Sequence, residues 1–319
     1  MAVPTNTVSA HNRVGIREDL EDVIYSISPT ETPFMTNIAK GTADQVKHEW
    51  QKDSLAAAST SNAQVEGDDV ASFDSRAATT RVQNYCQISR KTVVVSGTNS
   101  AVNSAGRNDE LAYQLAKMGK ELKRDMESIL TNNQASSAGT GSTARTLAGL
   151  PSWLTNAVRS AGTSTPGADP TGDGSDTATD SDLLVAFSED NLKAVILECY
   201  QDGGDPDMIM VGPFNKQKFS GFTGSATKYK NVEDRTIVAT ADIYVSDFGE
   251  LSVVPNRFQR ERDAFVLQSD MFECAFLRPF QTKDLASSGD NDKRLLLAEY
   301  TLVARNGDSS GLVADCTTS

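Results

Sequence analysis

The chain has 319 residues, with 43 acidic against 30 basic side chains, a formal net charge of -13, two histidines and four cysteines. Its longest unbroken apolar run is five residues, Leu183 to Phe187, against about 20 for a membrane-spanning helix; its opening Met-Ala-Val-Pro-Thr-Asn has neither the basic nor the apolar part of a secretory leader. A pI near 4.7 argues against a broad nucleic-acid grip, and the length predicts two packed units rather than one.

Residues 1–40 read as an arm interrupted by Pro4, Pro29 and Pro33. Within it, Ile16, Leu20, Val23, Ile24 and Ile27 share one helical face. The following Ser28-Pro29-Thr30-Glu31-Thr32-Pro33-Phe34 cannot continue that helix, because each proline restricts the residue before it. The stripe must be buried on the chain's own body or on a neighbour. Residues 42–95 read as a long two-stranded ribbon. Val46, His48 and Trp50 alternate on the way out; Val82, Cys86 and Ile88 share a face on the return, followed by Thr92 to Val95. Such a ribbon is marginal alone in water and implies a surface to lie on. Residues 109–130 give the strongest helix: Asn108 or Asp109 caps it, and Leu111, Leu115, Met118, Leu122, Met126 and Ile129 form one stripe. Lys117 to Glu121 and Lys123 to Glu127 form i,i+4 pairs.

Residues 131–182 are rich in Ser, Thr, Gly and Asp, and the stretch 160–182 has the composition of a disordered loop, held if at all by neighbours. Residues 183–283 read as an α+β unit. Ser188 caps a helix carrying Leu192, Val195, Ile196, Cys199 and Tyr200, Gly203-Gly204 ends it, and a buried-type strand runs Met208 to Val211. A short helix with Phe214 and Phe219 precedes strands at Thr236 to Val245, Leu251 to Val254, Ala264 to Leu267 and Phe272 to Leu277. After a polar break at 287–292, a last strand runs Arg294 to Arg305.

Chemical signatures are sparse. Cys86, Cys199, Cys274 and Cys316 lie too far apart in sequence for a CxxC metal or redox pair, and read as scattered reduced thiols. His11 sits in the arm and His48 between Lys47 and Glu49, neither beside a nucleophile. Gly139-Thr140-Gly141-Ser142-Thr143-Ala144 matches a dinucleotide fingerprint in letters but follows a helix instead of a strand. The acidic groups Asp173, Asp176, Asp180, Asp182 and Asp202, Asp205, Asp207 lack calcium-loop spacing. The basic cluster Arg257, Arg260, Arg262 is broken by Glu261 and Asp263 and reads as an exposed turn or subunit contact. The chain therefore reads as a non-enzyme without cofactor or metal.

The order of these pieces resembles the major capsid proteins of tailed bacteriophages with the HK-ninety-seven-like fold, and among them the phage-SU-ten type. The resemblance is carried by Arg17 to Leu20 with Ser28 to Phe34, by Tyr244 to Arg257, by Phe276-Leu277-Arg278-Pro279, by Leu285-Ala286 with Gly289-Asp290, and by Lys293 to Asn306 with Glu299, Thr301 and Leu302. It implies an α+β fold with an N-terminal arm (1–40), an E-loop β-ribbon (41–96), a peripheral domain with a spine helix (97–182), an axial domain (183–283) and a closing strand of the peripheral domain (284–319).

The resemblance further implies hexamers and pentamers of one chain, closed into an icosahedral virion shell around double-stranded DNA and assembled in the host cytoplasm. Partners would be copies of itself, with scaffolding, portal and decoration proteins as further candidates and no membrane. The inter-subunit candidates are Ile16, Leu20, Ile24, Phe34, Trp50, Val65, Tyr85, Arg257 and Arg260. Lys47 and Lys52 are the lysines available to an E-loop crosslink. The chain opening directly on its arm implies no fused, cleaved scaffold. A cellular nanocompartment shell of the same fold is the alternative, ahead of a soluble enzyme or another β-rich virion component. Under the shell reading, negative charge on the inner wall would leave packaged DNA mobile.

Overall fold

The computed structural model describes residues 29–67, 69, 73, 76, 78–102, 109–222 and 243–318. The expected arm helix at 16–27, with Ile16, Leu20 and Ile24, lies outside the described residues, as does the expected strand from Thr236 up to residue 242. The described residues form two sheets and a short ribbon. The first sheet has strand order β1-β10-β11-β4, with β1 at Ala39–Thr42, β4 at Gln87–Ser96, β10 at Phe272–Leu285 and β11 at Asn291–Ala304. The polar break expected at 287–292 is the turn of the long β10–β11 hairpin, whose register runs from Phe272↔Ala304 to Leu285↔Lys293.

The ribbon is shorter than the sequence suggests. Only β2 (Lys47–Lys52) and β3 (Thr80–Tyr85) pair with each other, from Lys47↔Tyr85 to Lys52↔Thr80. Residues 87–96 leave that partner and join β11 instead. The handover occurs at Cys86, which is buried between the two strands, and there the side-chain phase reverses. Val82, Asn84 and Cys86 point inward, whereas beyond Cys86 the inward positions are Ser89 and Val95. Ile88, expected on the buried face, is therefore exposed. A one-residue slip moves every later side chain to the opposite face.

Helix α3 (Glu110–Leu130; α1 is Pro33–Asn37 and α2 Gly97–Ala101) follows its sequence pattern closely. The Asp109 carboxylate accepts from the amides of Leu111 and Ala112, and Met118, Leu122, Met126 and Leu130 are buried. Lys117 reaches Glu121 at 3.9 Å. The expected Lys123–Glu127 pair does not form, because Glu127 turns inward and is fully buried. Helix α1 is a second departure: Pro33, read as a breaker, sits in its first turn, where the missing N–H costs nothing and the fixed φ suits a helix. Residues 33–42 thus dock on the chain's own body, which corrects the expectation of an arm reaching to residue 40.

The second sheet runs β5-β12-β9-β6-β8-β7, with β5 at Asn156–Val158, β6 at Met208–Val211, β7 at Ile243–Ser246, β8 at Gly249–Pro255, β9 at Ala264–Leu267 and β12 at Gly311–Val313. Its membership corrects the expected 183–283 unit. Two of its strands come from outside that span, and Phe272–Leu285 belongs to the first sheet. β6 and β9 are buried on both faces, as continuous apolar strands require. Met208, Met210, Phe265 and Leu267 face the core shared with α3 and the first sheet. Ile209, Val211, Ala264 and Val266 face α4 (Glu189–Gln201, capped by Ser188) and α5 (Pro213–Ser220).

The polar stretch 131–182 is ordered by the chain's own carboxylates, where sequence composition suggested neighbours would be needed. Asp315, fully buried, accepts from the amides of Ser160 (3.2 Å) and Ser181 (3.0 Å) and pairs with Arg262. Asp182 accepts from Thr163 and Ser164, Asp176 from Thr171, and Asp173 from Ser175. Gly174 has φ +77, and a Cβ there would lie 2.5 Å from Trp153. Asp315 itself has a left-handed backbone (φ 57), which Asp tolerates better than most residues. Asp315→Asn keeps that tolerance but loses the charge facing Arg262. Breaking such a buried pair costs roughly 3 kcal/mol or more. We expect the loss in urea unfolding, with the first new protease cut falling between residues 160 and 183.

Candidate functional site

Two buried carboxylates fix the places where chain segments leave the body. The first is Glu127. Its Oε1 accepts from Phe34 N at 2.7 Å and from Asn256 Nδ2 at 2.8 Å, and its Oε2 accepts from Met35 N at 2.9 Å. Those amides belong to the first turn of α1, where a carboxylate also meets the positive end of the helix dipole. Burial pushes the Glu127 carboxyl up from its usual range, and the bonds from Met35, Phe34 and Asn256 oppose the shift. Phe34 beside it is fully buried and lies 6.3 Å from the Phe272 ring.

The second is Glu299, opposite Arg278 in the β10–β11 hairpin. It is almost fully buried and bridges two guanidinium groups, with Arg145 Nη2 at 2.6 Å and Arg278 Nε at 2.7 Å. Arg145 Nε also donates to the Cys86 carbonyl at 3.2 Å, so Glu299 holds the residue at which the ribbon leaves the sheet. The ribbon base is packed on the body. Trp50 lies against Trp153 with ring centroids 5.5 Å apart, and its Nε1 donates to Ala304 O at 2.9 Å. Asn84 Nδ2 donates to Leu302 O at 2.7 Å.

Beyond that base the picture changes. Every described residue from 53 to 79 is exposed, including Leu55 at 98%, Val65 at 77% and Phe73 at 92%. Of the candidate contact residues, then, Val65 is at the ribbon's outer end, Tyr85 is half-buried at its base, and Arg257 is exposed on the turn after β8. Phe34 is fully buried in the chain's own core, and Trp50 is half-buried against it. Arg260 is also turned inward, 2.5 Å from Asp180 and 3.2 Å from Asp263. Lys47 and Lys52 pair with Glu49 at 2.7 Å and Asp308 at 3.4 Å.

Glu127 was read only as a surface i,i+4 partner of Lys123 and Glu299 only as part of the closing strand, yet each leaves a trace of a buried role in the sequence. Glu299 interrupts the run Leu295 to Ala304, and Glu127 follows Met126 directly in the apolar stripe of α3. A charge inside an apolar run implies a buried partner.

The cysteines are not placed to act as nucleophiles. All four cysteines are buried, and burial pushes the thiols of Cys199, Cys274 and Cys316 up to about 12 and that of Cys86 to about 11, far from the thiolate a nucleophile needs. Among the described residues no cluster of three or more His, Cys, Asp or Glu is arranged to hold a metal, and no helix is long and apolar enough to cross a membrane.

Comparison with known proteins accords with this geometry. Residues 3–317 match the family described as SU10 major capsid protein. The chain is 27% identical to a major capsid protein of Escherichia phage Phieco32 over 347 aligned positions, covering 98% of this chain and 97% of that one. Its fold superposes on a chain of the cyanophage A-1(L) capsid asymmetric unit with a TM-score of 0.69 at 13% identity, covering 98% of this chain and 99% of that one. It also superposes on a chain from the asymmetric unit of the bacteriophage PhiM1 mature capsid, with a TM-score of 0.58 at 11% identity, covering 98% and 96%.

The inward-facing acid Asp263 gives a pH signature. Burial pushes its carboxyl up to about 6, against the pull of Arg260. Between about pH 4 and 6 the folded state therefore holds a proton that the unfolded state has released, and this group's contribution to stability falls as pH rises. We expect Asp263→Asn to gain on the unsubstituted chain in urea midpoint as pH rises from about 4 to about 6, and to run parallel to it above that window.

Proposed function

Because this chain belongs to the SU10 major capsid protein family and is a phage major capsid protein, we propose that its copies form hexamers and pentamers that close into an icosahedral shell of the HK-ninety-seven-like kind around double-stranded DNA. Residues 1–28 and the ribbon tip are the connectors. In this reading the second sheet with α4 and α5 would be the axial part, and the first sheet with α3 the peripheral part. Closure then follows from repetition of one heterologous contact around symmetry axes. Scaffolding, portal and decoration proteins would join this shell, and assembly would take place in the host cytoplasm. No catalytic role is assigned.

The observation that carries the proposal is the contrast along the ribbon. Its base is clamped by Trp50, Asn84 and Cys86, whereas Leu55, Val65 and Phe73 stand in solvent. Burying a side chain of that size stabilises by about 1.5–3 kcal/mol, and a long excursion of this type is usually functional. A neighbouring copy supplies the missing surface. The charge of -13 per chain suits a container that encloses DNA without gripping it. On that reading DNA retention by opened shells depends only weakly on salt, and a steep log-log slope would contradict it.

The decisive variant replaces Leu55, Val65 and Phe73 together with Ser. These exposed positions contribute within about 0.5 kcal/mol each to the isolated fold, so the melting temperature of the subunit should barely move. Assembled particles, counted by negative-stain microscopy and sedimentation, should fall at least tenfold. An undiminished particle yield would remove the ribbon tip from the assembly mechanism.

A further inference from the structure

Among the described residues, a cavity of about 230 Å³ lies open between α4 and the turn joining β7 to β8. Leu197 and Phe248 line it and are partly exposed, and the Phe248 ring stacks on Tyr200 with centroids 4.5 Å apart. Tyr244, fully buried, forms its deep wall. The Tyr244 hydroxyl lies by the Glu189 carboxylate yet makes no hydrogen bond of normal geometry. Two described charges line the cavity. Lys193 is met by Glu189 at 2.9 Å, whereas Asp247 is exposed and has no ion-pair partner among the described residues. We propose that this cavity is the socket for Arg257 of a second copy of the chain, so that successive copies join head to tail around a symmetry axis. The proposal rests on the shell reading above and names one of its contacts.

Three observations converge on that occupant. The first is chemistry. An arginine carries an apolar stem, a planar head that stacks on aromatic faces, and donors for several acceptors at once. The socket offers Leu197, the Phe248 ring and two acceptors, the Asp247 carboxylate and the Tyr244 hydroxyl oxygen. Its surroundings are negative. Glu198 and Asp202 on and just after α4 lack ion-pair partners among the described residues, and the Glu198 carboxyl is pushed up by burial and then by the charges of Asp169 and Asp202. The second observation is the plug. Arg257 is exposed, and it too has no ion-pair partner among the described residues. It stands on a turn held from both sides. Asn256 N donates to Val211 O at 2.9 Å, Asn256 Nδ2 donates to Glu127 at 2.8 Å, and Phe258 N donates to Asn256 Oδ1 at 2.9 Å. A side chain presented from a fixed backbone loses less entropy on docking.

The third observation is separation. Socket and plug lie at opposite ends of β8, whose seven residues span about 23 Å. One copy therefore cannot fill its own socket. A contact between two different patches repeats from copy to copy until it closes a ring.

The test is a charge swap. Arg257→Asp and Asp247→Arg are made singly and together in the full chain. Both positions are exposed, so the urea midpoint of the subunit should hardly move. Each single variant should yield at least tenfold fewer assembled particles than the unsubstituted chain, because it sets like charges against each other across the contact. The double variant restores the pair in reverse and should return to within about threefold of the unsubstituted yield. Full yield from either single variant, or a double variant no better than the singles, would overturn the proposal. A second measurement keeps Arg257 intact. Particles carrying Leu197→Cys with Pro255→Cys are treated with a short bis-maleimide, and the four native cysteines are buried, so the introduced thiols react selectively. We expect a ladder of covalent species running past the dimer. A product that stops at the dimer would show a two-fold contact, and no product would show that the two patches do not meet; either overturns the proposal. Particles of the unsubstituted chain are the control. Their absence would remove the shell reading and this contact with it, whereas their presence beside failing variants would remove only this contact.

Discussion

The Glu127 carboxylate ties together three parts of the chain that lie far apart in sequence. It sits on α3, receives the first amides of α1 93 and 92 residues earlier, and receives the Asn256 side chain 129 residues later. An unpaired carboxylate at full burial would cost several kcal/mol. Three donors to one acceptor group offset much of that penalty, and the two backbone amides among them would otherwise be orphans at a helix start. The spine helix, the last anchored residues of the arm and the turn after β8 are therefore placed by one side chain. Phe34 can enter the core only because the backbone on either side of its amide is held there.

The same device recurs. Glu299 joins Arg145 and Arg278 across the ribbon root, and Asp315 joins Ser160, Ser181 and Arg262 under the polar loop. In each case one buried acid satisfies donors from separate segments of the chain. Acidity on this chain is thus of two kinds: an outer excess that sets the net charge, and a few inner carboxylates that act as many-way acceptors.

This division explains what could be read from the sequence. α3 and α4 were legible because caps and stripes are local: Asp109 with its 3.6-residue pattern, Ser188 with Leu192, Val195 and Ile196. β6 and β9 were legible as unbroken apolar runs. Three features were not. The order of residues 160–182 comes in part from Asp315, more than 130 residues further on. The change of face at Cys86 depends on which strand accepts the chain next, and Ile88 shows no sign of it in its own neighbourhood. Helix α1 was hidden because Pro33 breaks a helix from within and begins one at its edge. The candidate contacts divide on the same line. Val65 is in a polar loop and stays outside, whereas Trp50, with the same alternating pattern, finds Trp153 in its own chain.

The hairpin of β10 and β11 has a mechanical consequence. Each strand has 14 residues, about 47 Å at the usual rise. Residues 272–276 lie in the packed interior, and residues 280–285 are mostly exposed. The hairpin does not project alone, because β4 pairs with β11 from Tyr300↔Gln87 out to Asn291↔Ser96, so its outer half moves as part of a three-stranded blade. The blade is rooted between Phe276 and Gln281, where the β10–β11 register shifts twice and where Arg278 is held by Glu299. Irregular pairing makes the root the most compliant part of the β10 edge, and the ion pair makes it the part that springs back.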